Sequence, residues 1–231
     1  MKKEIPQTME ERAPILHVLR EAKMSTSAHA YVRGSTDRFY EWLLGPDGRR
    51  LPSGPDIWIS GDCHVGNLGP VARKDGLVET EIRDLDHTVI GCPSHDLIRL
   101  SLSLAMAARA WDLGGATTAR VVEAIAREYT DALEARADKR QFVLDKPPKA
   151  LALFRKRALR RTRRELLDER LGTSTRKFPI GRRFWPLTKA EREAVHALFD
   201  TTALRKLMTS LAERPDDASL RVLDSAFWVK G

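Results

Sequence analysis

Apolar residues Ile15, Leu16, Val18 and Leu19 follow Thr8-Met9-Glu10-Glu11, a capping box, and predict a first helix from about Met9 to Lys23. Tyr31-Val32-Arg33-Gly34 reads as a loop, and Thr36 to Leu44 as a short helix. Gly45-Pro46-Asp47-Gly48 and Pro52-Ser53-Gly54-Pro55 carry turn chemistry. The continuous apolar run Ile57-Trp58-Ile59 predicts a buried strand leading straight into Gly61-Asp62. From Leu77 to Arg83 apolar and charged residues alternate, the pattern of a half-buried strand, which ends at Asp84-Leu85-Asp86. Beyond Asp96 the period turns helical, with helices expected over roughly 96–111, 118–137, 148–170, 188–199 and 201–213. Thr188-Lys189-Ala190-Glu191 is a second capping box. Gly172 to Pro186 reads as irregular, with Phe178, Phe184 and Trp185 as core, and Leu220 to Val229 as a strand. The expected fold class is α+β and predominantly helical.

Composition narrows the class. The 231 residues are 42% hydrophobic, ordinary for a chain that buries a core. The apolar stretch Leu97 to Trp111 is interrupted by Arg99 and Arg109 and is too short to span a bilayer, so it reads as a buried helix and no membrane partner is expected. No apolar run follows the charged N-terminus, so no signal peptide is expected there. Two cysteines, Cys63 and Cys92, do not make a disulfide framework, and the expected setting is reduced and cytoplasmic. A net charge of +8 suits an acidic partner without choosing among nucleic acid, a membrane surface or a phosphorylated substrate.

The candidate chemistry lies in Ser60-Gly61-Asp62-Cys63-His64-Val65-Gly66-Asn67-Leu68-Gly69, followed by Arg83-Asp84-Leu85-Asp86 and by Asp96-Leu97. Phosphoryl transfer needs a carboxylate near the attacking hydroxyl and oxygen ligands for Mg²⁺ bridging the phosphates. Asp62 and Asn67 are close enough in one tight loop to face the same cleft, and Asp84, after the next strand, is expected to face them across a hairpin.

This segment resembles the catalytic loop of the aminoglycoside phosphotransferase and choline kinase group: Gly-Asp, four residues, Asn, a strand, a metal-binding Asp, then Asp-Leu opening a helix. A nearer resemblance is to the bacterial DUF2252 family, which looks like a rearranged member of the same superfamily. Its landmarks correspond to Tyr31-Val32-Arg33-Gly34, Gly61 to Gly69, Asp84-Leu85-Asp86 and Asp96-Leu97-Ile98-Arg99-Leu100. The resemblance implies Asp62 as catalytic base, Asn67 and Asp84 as Mg²⁺ and nucleotide ligands, and Asp96 as a carboxylate bonding the loop backbone. It implies one domain over 1–231, similar to the larger lobe of a kinase: 1–56 leading in, 57–96 carrying the site, 97–215 helical, and 216–231 opening a strand-rich part. The expected reaction moves a phosphoryl group from MgATP to a hydroxyl of a small molecule. Asp84-Leu85 stands where Asp-Phe is usual. A kinase also needs a glycine-rich loop and a lysine on the phosphates. None precedes Asp62, and the resemblance places such a segment after the helices, near where Ala226-Phe227-Trp228-Val229-Lys230-Gly231 ends the chain. A further segment or a second polypeptide is therefore expected to complete the nucleotide site.

Several residues keep two readings. Asp86 is a second metal ligand, a supporting carboxylate or a turn-former. His64 either orients Asp62 or a phosphate, or packs inside the loop; Arg33 either reaches a phosphate or an acidic group, or forms a buried ion pair. Cys63, His64, His87, Cys92 and His95 lie close in sequence, and Cys92-x-x-His95 has the spacing of zinc ligands. The partner pair Cys63-His64 is adjacent where structural sites space ligands two to four apart, which disfavours zinc. A metal-dependent phosphoesterase using Asp62, His64, Asp84 and Asp86 is a rival, although it expects a downstream Gly-Asn-His that the chain lacks. A catalytically inactive kinase-like binding protein is another. Lys149 to Arg164 holds eight basic residues, a density that attracts nucleic acid, but Leu151, Phe154, Ala158, Leu159 and Leu166 mark an apolar side that favours a docked helix with a solvated basic face.

Overall fold

A computed structural model describes residues 5–6, 8–72, 77–140, 149–160, 162–171, 177–210 and 220–229. In chain order they form α1 (Met9–Met24), α2 (Ala28–Gly34), α3 (Thr36–Leu44), β1 (Ile57–Ile59), β2 (Leu68–Ala72), β3 (Val78–Ile82), β4 (Val89–Gly91) and α4 (Pro93–Ala110). There follow α5 (Gly115–Ala137), α6 (Lys149–Arg160), α7 (Arg163–Leu171), β5 (Phe184–Trp185), α8 (Lys189–Phe199), α9 (Thr202–Thr209) and β6 (Phe227–Trp228). The fold is α+β and mostly helical, with three small antiparallel ribbons. The chain divides into two compact units, one of residues 1–20 with 161–231 and one of residues 21–160.

In the larger unit, α4 is the central helix and packs on α5, α2 and β1. Its buried face is Arg99, Ser103, Ala107 and Ala108; the leucine-rich side, with Leu102 38% exposed, lines an open groove with Val122, Ile125 and Ala126 of α5. The fully buried face of this helix thus combines two polar side chains with two alanines, and its leucines are only partly covered. β1 pairs with β4 and β2 with β3, so the two strands expected from the sequence do not pair with each other; each takes a partner that the pattern did not mark. The segment read as a loop at Tyr31–Gly34 is the end of α2, which starts at the Ser27 cap, whose hydroxyl accepts from Ala30 N at 3.1 Å.

The helix expected over 148–170 is two, α6 and α7, one in each unit. α6 lies against β3 and β2, and Arg155 Nε donates to Val78 O at 2.6 Å. Its docked positions are Leu151, Arg155 and Ala158, whereas Phe154 (48%) and Leu159 (62%), expected on that side, are largely exposed. A two-stranded ribbon is too narrow to cover both flanks of a helix. The side chain of Leu166 lies outside the described residues.

In the smaller unit, Arg12 of α1 is fully buried, paired with Glu191 through two bonds of 2.7 and 3.1 Å and bonded to Pro186 O at 2.8 Å. Its guanidinium lies 4.6 Å from the Phe227 ring centroid, and Phe227 stacks on buried Trp185 at 5.9 Å. Phe178 and Phe184 meet at 4.9 Å, the aromatic core expected there. Of the strand expected over Leu220–Val229, only Phe227–Trp228 pairs, against β5. Residues 172–176 of the irregular segment and 211–213 of the last helix lie outside the described residues.

Candidate active site

β1 delivers the chain into a loop that α4 holds from one face. Asp96, Arg99 and Ser103 are spaced i, i+3 and i+7, which aligns them on that helix. The Asp96 carboxylate accepts from Ser60 N at 2.6 Å and Gly61 N at 3.0 Å, and Ser103 Oγ accepts from Val65 N at 3.1 Å. Burial raises the Asp96 carboxyl above its ordinary range, and the two amide bonds oppose that shift. Tyr40 of α3 donates to Gly61 O at 2.7 Å, and burial next to Asp96 raises its phenol pKa. Gly61 has φ +76°, and a Cβ there would run into His87 O, so the tight entry to the loop needs glycine.

Asp62 is buried, and its Oδ1 accepts from Arg99 and, at 3.0 Å, from Thr36 Oγ1. Arg99 is 1% exposed; the same nitrogen also reaches Val32 O at 3.2 Å and Thr36 Oγ1 at 2.9 Å, and its guanidinium lies 5.2 Å from the Phe39 ring centroid. Asp62 Oδ2 is 3.7 Å from His64 Nε2. His64 is 3% exposed with no partner for Nδ1; burial lowers its pKa against the pull of Asp62, and Arg33 and Arg99 lower it further. Its imidazole is therefore neutral at pH 7. Arg33 is exposed, so the buried ion pair among its two readings is not formed; its guanidinium carbon lies 3.7 Å from where a Gly66 Cβ would stand.

Asn67 is buried and its amide nitrogen donates to Asp62 O at 2.9 Å. With that nitrogen committed, the side-chain oxygen is the end left to bind. Arg83 N donates to Asn67 O at 2.9 Å, extending the β2–β3 register by one residue, so half-buried Asp84 follows at the same end of the ribbon as Asn67. Arg83 also donates to Gly66 O at 3.1 Å and crosses Gly69, where a Cβ would meet it. Asp86 lies on an exposed turn and pairs with His87 Nδ1 at 2.8 Å.

The site thus places Asp62, His64 and Asn67 on one loop whose entry Asp96 of α4 holds, with Asp84 at the adjoining ribbon end and Asp86 paired with His87. Among the described residues, no three His, Cys, Asp or Glu side chains converge on a metal position. Burial pushes the Cys63 thiol up to about 12, which keeps it protonated at neutral pH. Sequence reasoning gave no role to Arg99, Thr36, Tyr40 or Ser103. Their signal is polarity on an apolar element: an arginine and a serine three and seven residues after Asp96 in an otherwise leucine-rich helix.

Neither the curated proteins nor the solved structures include a significant match to the chain. Its family is nonetheless shown by a model that matches residues 12–231: the chain belongs to DUF2252, described as an uncharacterized protein conserved in bacteria.

Proposed function

We propose that this site is the catalytic loop of a kinase-like phosphotransferase that moves a phosphoryl group from MgATP to a hydroxyl of a small molecule. The observation that carries the reading is the 2.9 Å bond from the Asn67 amide nitrogen to Asp62 O. It joins the candidate base and the candidate metal ligand in one rigid turn and leaves the Asn67 oxygen as a hard donor, the kind Mg²⁺ takes. Asp84, at the same ribbon end, supplies an anionic oxygen. Asn67 and Asp84 would hold the cation, which would neutralise charge on the phosphates.

The commitment of Asp62 Oδ1 to Arg99 and Thr36 weakens it as a base and fixes its direction. That suits phosphoryl transfer, whose loose transition state gives the hydroxyl proton up late and asks for orientation more than basicity. Oδ2 is the atom left to accept the hydroxyl proton, while neutral His64 beside it adds no competing charge. A phosphoesterase built on Asp62, His64, Asp84 and Asp86 is a poorer fit, because Asp86 lies on an exposed turn and pairs with His87.

The test is calorimetry of MgATP against the folded chain, with Asp84→Asn as control. Binding with MgATP that Asp84→Asn abolishes, without loss of the far-UV spectrum, supports the reading and opens a hydroxyl-acceptor screen. No binding to folded wild type sinks it for this chain.

A further inference from the structure

α6 has the sequence KALALFRKRALR, with five basic residues and no acidic one. Docking on the β2–β3 ribbon consumes one cation, Arg155, which turns inward to Val78 O. The opposite side carries Lys149, Leu153, Lys156, Arg157 and Arg160, all exposed. Spacings of four, seven, eight and eleven residues place them on one stripe about 16 Å long at the helical rise. Among the described residues, Lys149, Lys156, Arg157 and Arg160 form no ion pair and no side-chain hydrogen bond. Exposed cations elsewhere do find carboxylates: Arg140 with Asp138 at 2.8 Å, Arg164 with Asp168 at 3.9 Å, Lys189 with Glu193 at 3.8 Å. The α6 stripe is a line of like charge on a rigidly backed helix, with repulsion along it that only an external anion relieves.

We propose that this face of α6 binds the phosphate backbone of duplex nucleic acid, without reading bases. A linear array of Arg and Lys matches a linear array of phosphates, and Arg adds paired N–H donors to phosphate oxygens. The outward stripe has no aromatic residue on which an unpaired base could stack, which favours a duplex over a single strand. Leu153 is its only large apolar residue, too little to seat the helix in a lipid surface. The overall charge of +8 draws the same partner from a distance.

Fluorescence anisotropy with a labelled mixed-sequence 20-base-pair duplex, over a range of KCl, tests this. Four phosphate contacts predict a slope of log K against log salt of about −3.6 for wild type. Arg157→Glu/Arg160→Glu removes two contacts, so the slope should fall to about −1.8 with affinity down more than about tenfold at low salt. Arg205→Glu/Lys206→Glu makes the same change of net charge on exposed residues of α9 and should leave the slope unchanged. Both pairs are solvent-exposed, so folding is not at risk. Equal losses in the two variants, no duplex binding at all, or binding to vesicles with anionic lipid in place of duplex would each overturn the proposal.

Discussion

At Arg99 a guanidinium with 1% exposure answers a buried carboxylate, a backbone carbonyl and a hydroxyl at once. Removing one member of such a pair strands the other charge where water cannot reach it. Arg99→Ala should therefore cost about 3–5 kcal/mol in urea unfolding, and Arg99→Leu combined with Asp62→Asn should recover much of that loss. If Arg99→Ala costs no more than truncating exposed Arg38, the pair does not hold the loop. Gly61→Ala attacks the same loop through its backbone: the φ of +76° alone costs about 1–2 kcal/mol for a residue with a Cβ, and the His87 carbonyl adds a clash. His64 can be followed directly by its ring signals. Its pKa lies below the ordinary 6.5, so NMR titration should find it mostly neutral at pH 6.5, where a free imidazole is half protonated. The sign for stability follows. The unfolded chain takes up this proton first, so the contribution is full above pH 6.5 and erodes as pH falls below it. A folded-state midpoint at or above 6.5 would mean that Asp62 outweighs burial.

Among elements, α8 shows how local signals and distant contacts combine. Thr188 and Glu191 close the capping box on both sides, with Glu191 N bonded to Thr188 Oγ1 at 3.1 Å and Thr188 N to Glu191 at 2.7 Å. Arg12 then takes the same carboxylate and, as the largest influence, holds its pKa at about 2 against a usual 4.5. Stability from this group is present above pH 4.5 and lost as pH falls toward 2. Glu191→Gln should lower stability at pH 7 and flatten the acid limb of a Tm-against-pH curve between about 4.5 and 2; an unaltered limb would show the pair is not formed. The capping box was legible in the sequence, and so were both ends of α3 and the position of the strand at Ile57–Ile59. The burial of that strand was not: Ile57 and Trp58 are 41% and 71% exposed and only Ile59 is buried, because an apolar run shows which residues can be covered and not what covers them. Arg12 as the partner of Glu191 was not legible either, because a contact across 179 residues leaves no local trace. β2 escaped notice because Gly69 and Pro70 interrupt any alternation in Leu68–Ala72, and β4 because three residues are too few to show a period. α2 is seven residues ending at Gly34; its one signal was the Ser27 cap. At the candidate site, Asp62, Asn67 and Asp84 were marked as candidates by their chemistry and by the resemblance, whereas Arg99 left only the trace of a polar residue in a leucine-rich helix, with nothing local to name Asp62 as its partner.

At the scale of the molecule, the largest fully buried side chains among the described residues are Arg12 in one unit and Arg99 in the other. Each is the hub of a polar network, with Glu191 and Pro186 in one case and with Asp62, Thr36 and Val32 in the other. Few large apolar side chains are fully buried among the described residues, so these networks carry a larger share of order than an aliphatic core would leave them. The limits of the units, at Arg20 and Arg160, fall in charged helix-forming runs with no Gly- or Pro-rich linker, so composition does not reveal them. Networks centred in different units give local unfolding its boundaries. Arg12→Ala should speed amide hydrogen exchange in α8 and in β5–β6, where Glu191 and Phe227 lose their partner. Protection in α4 and the β2–β3 ribbon, centred on Arg99, should be unchanged. Arg99→Ala should do the reverse. Loss of protection spread evenly over both units in either variant would mean that the chain opens as one cooperative body, and that its buried arginines stabilise it in common.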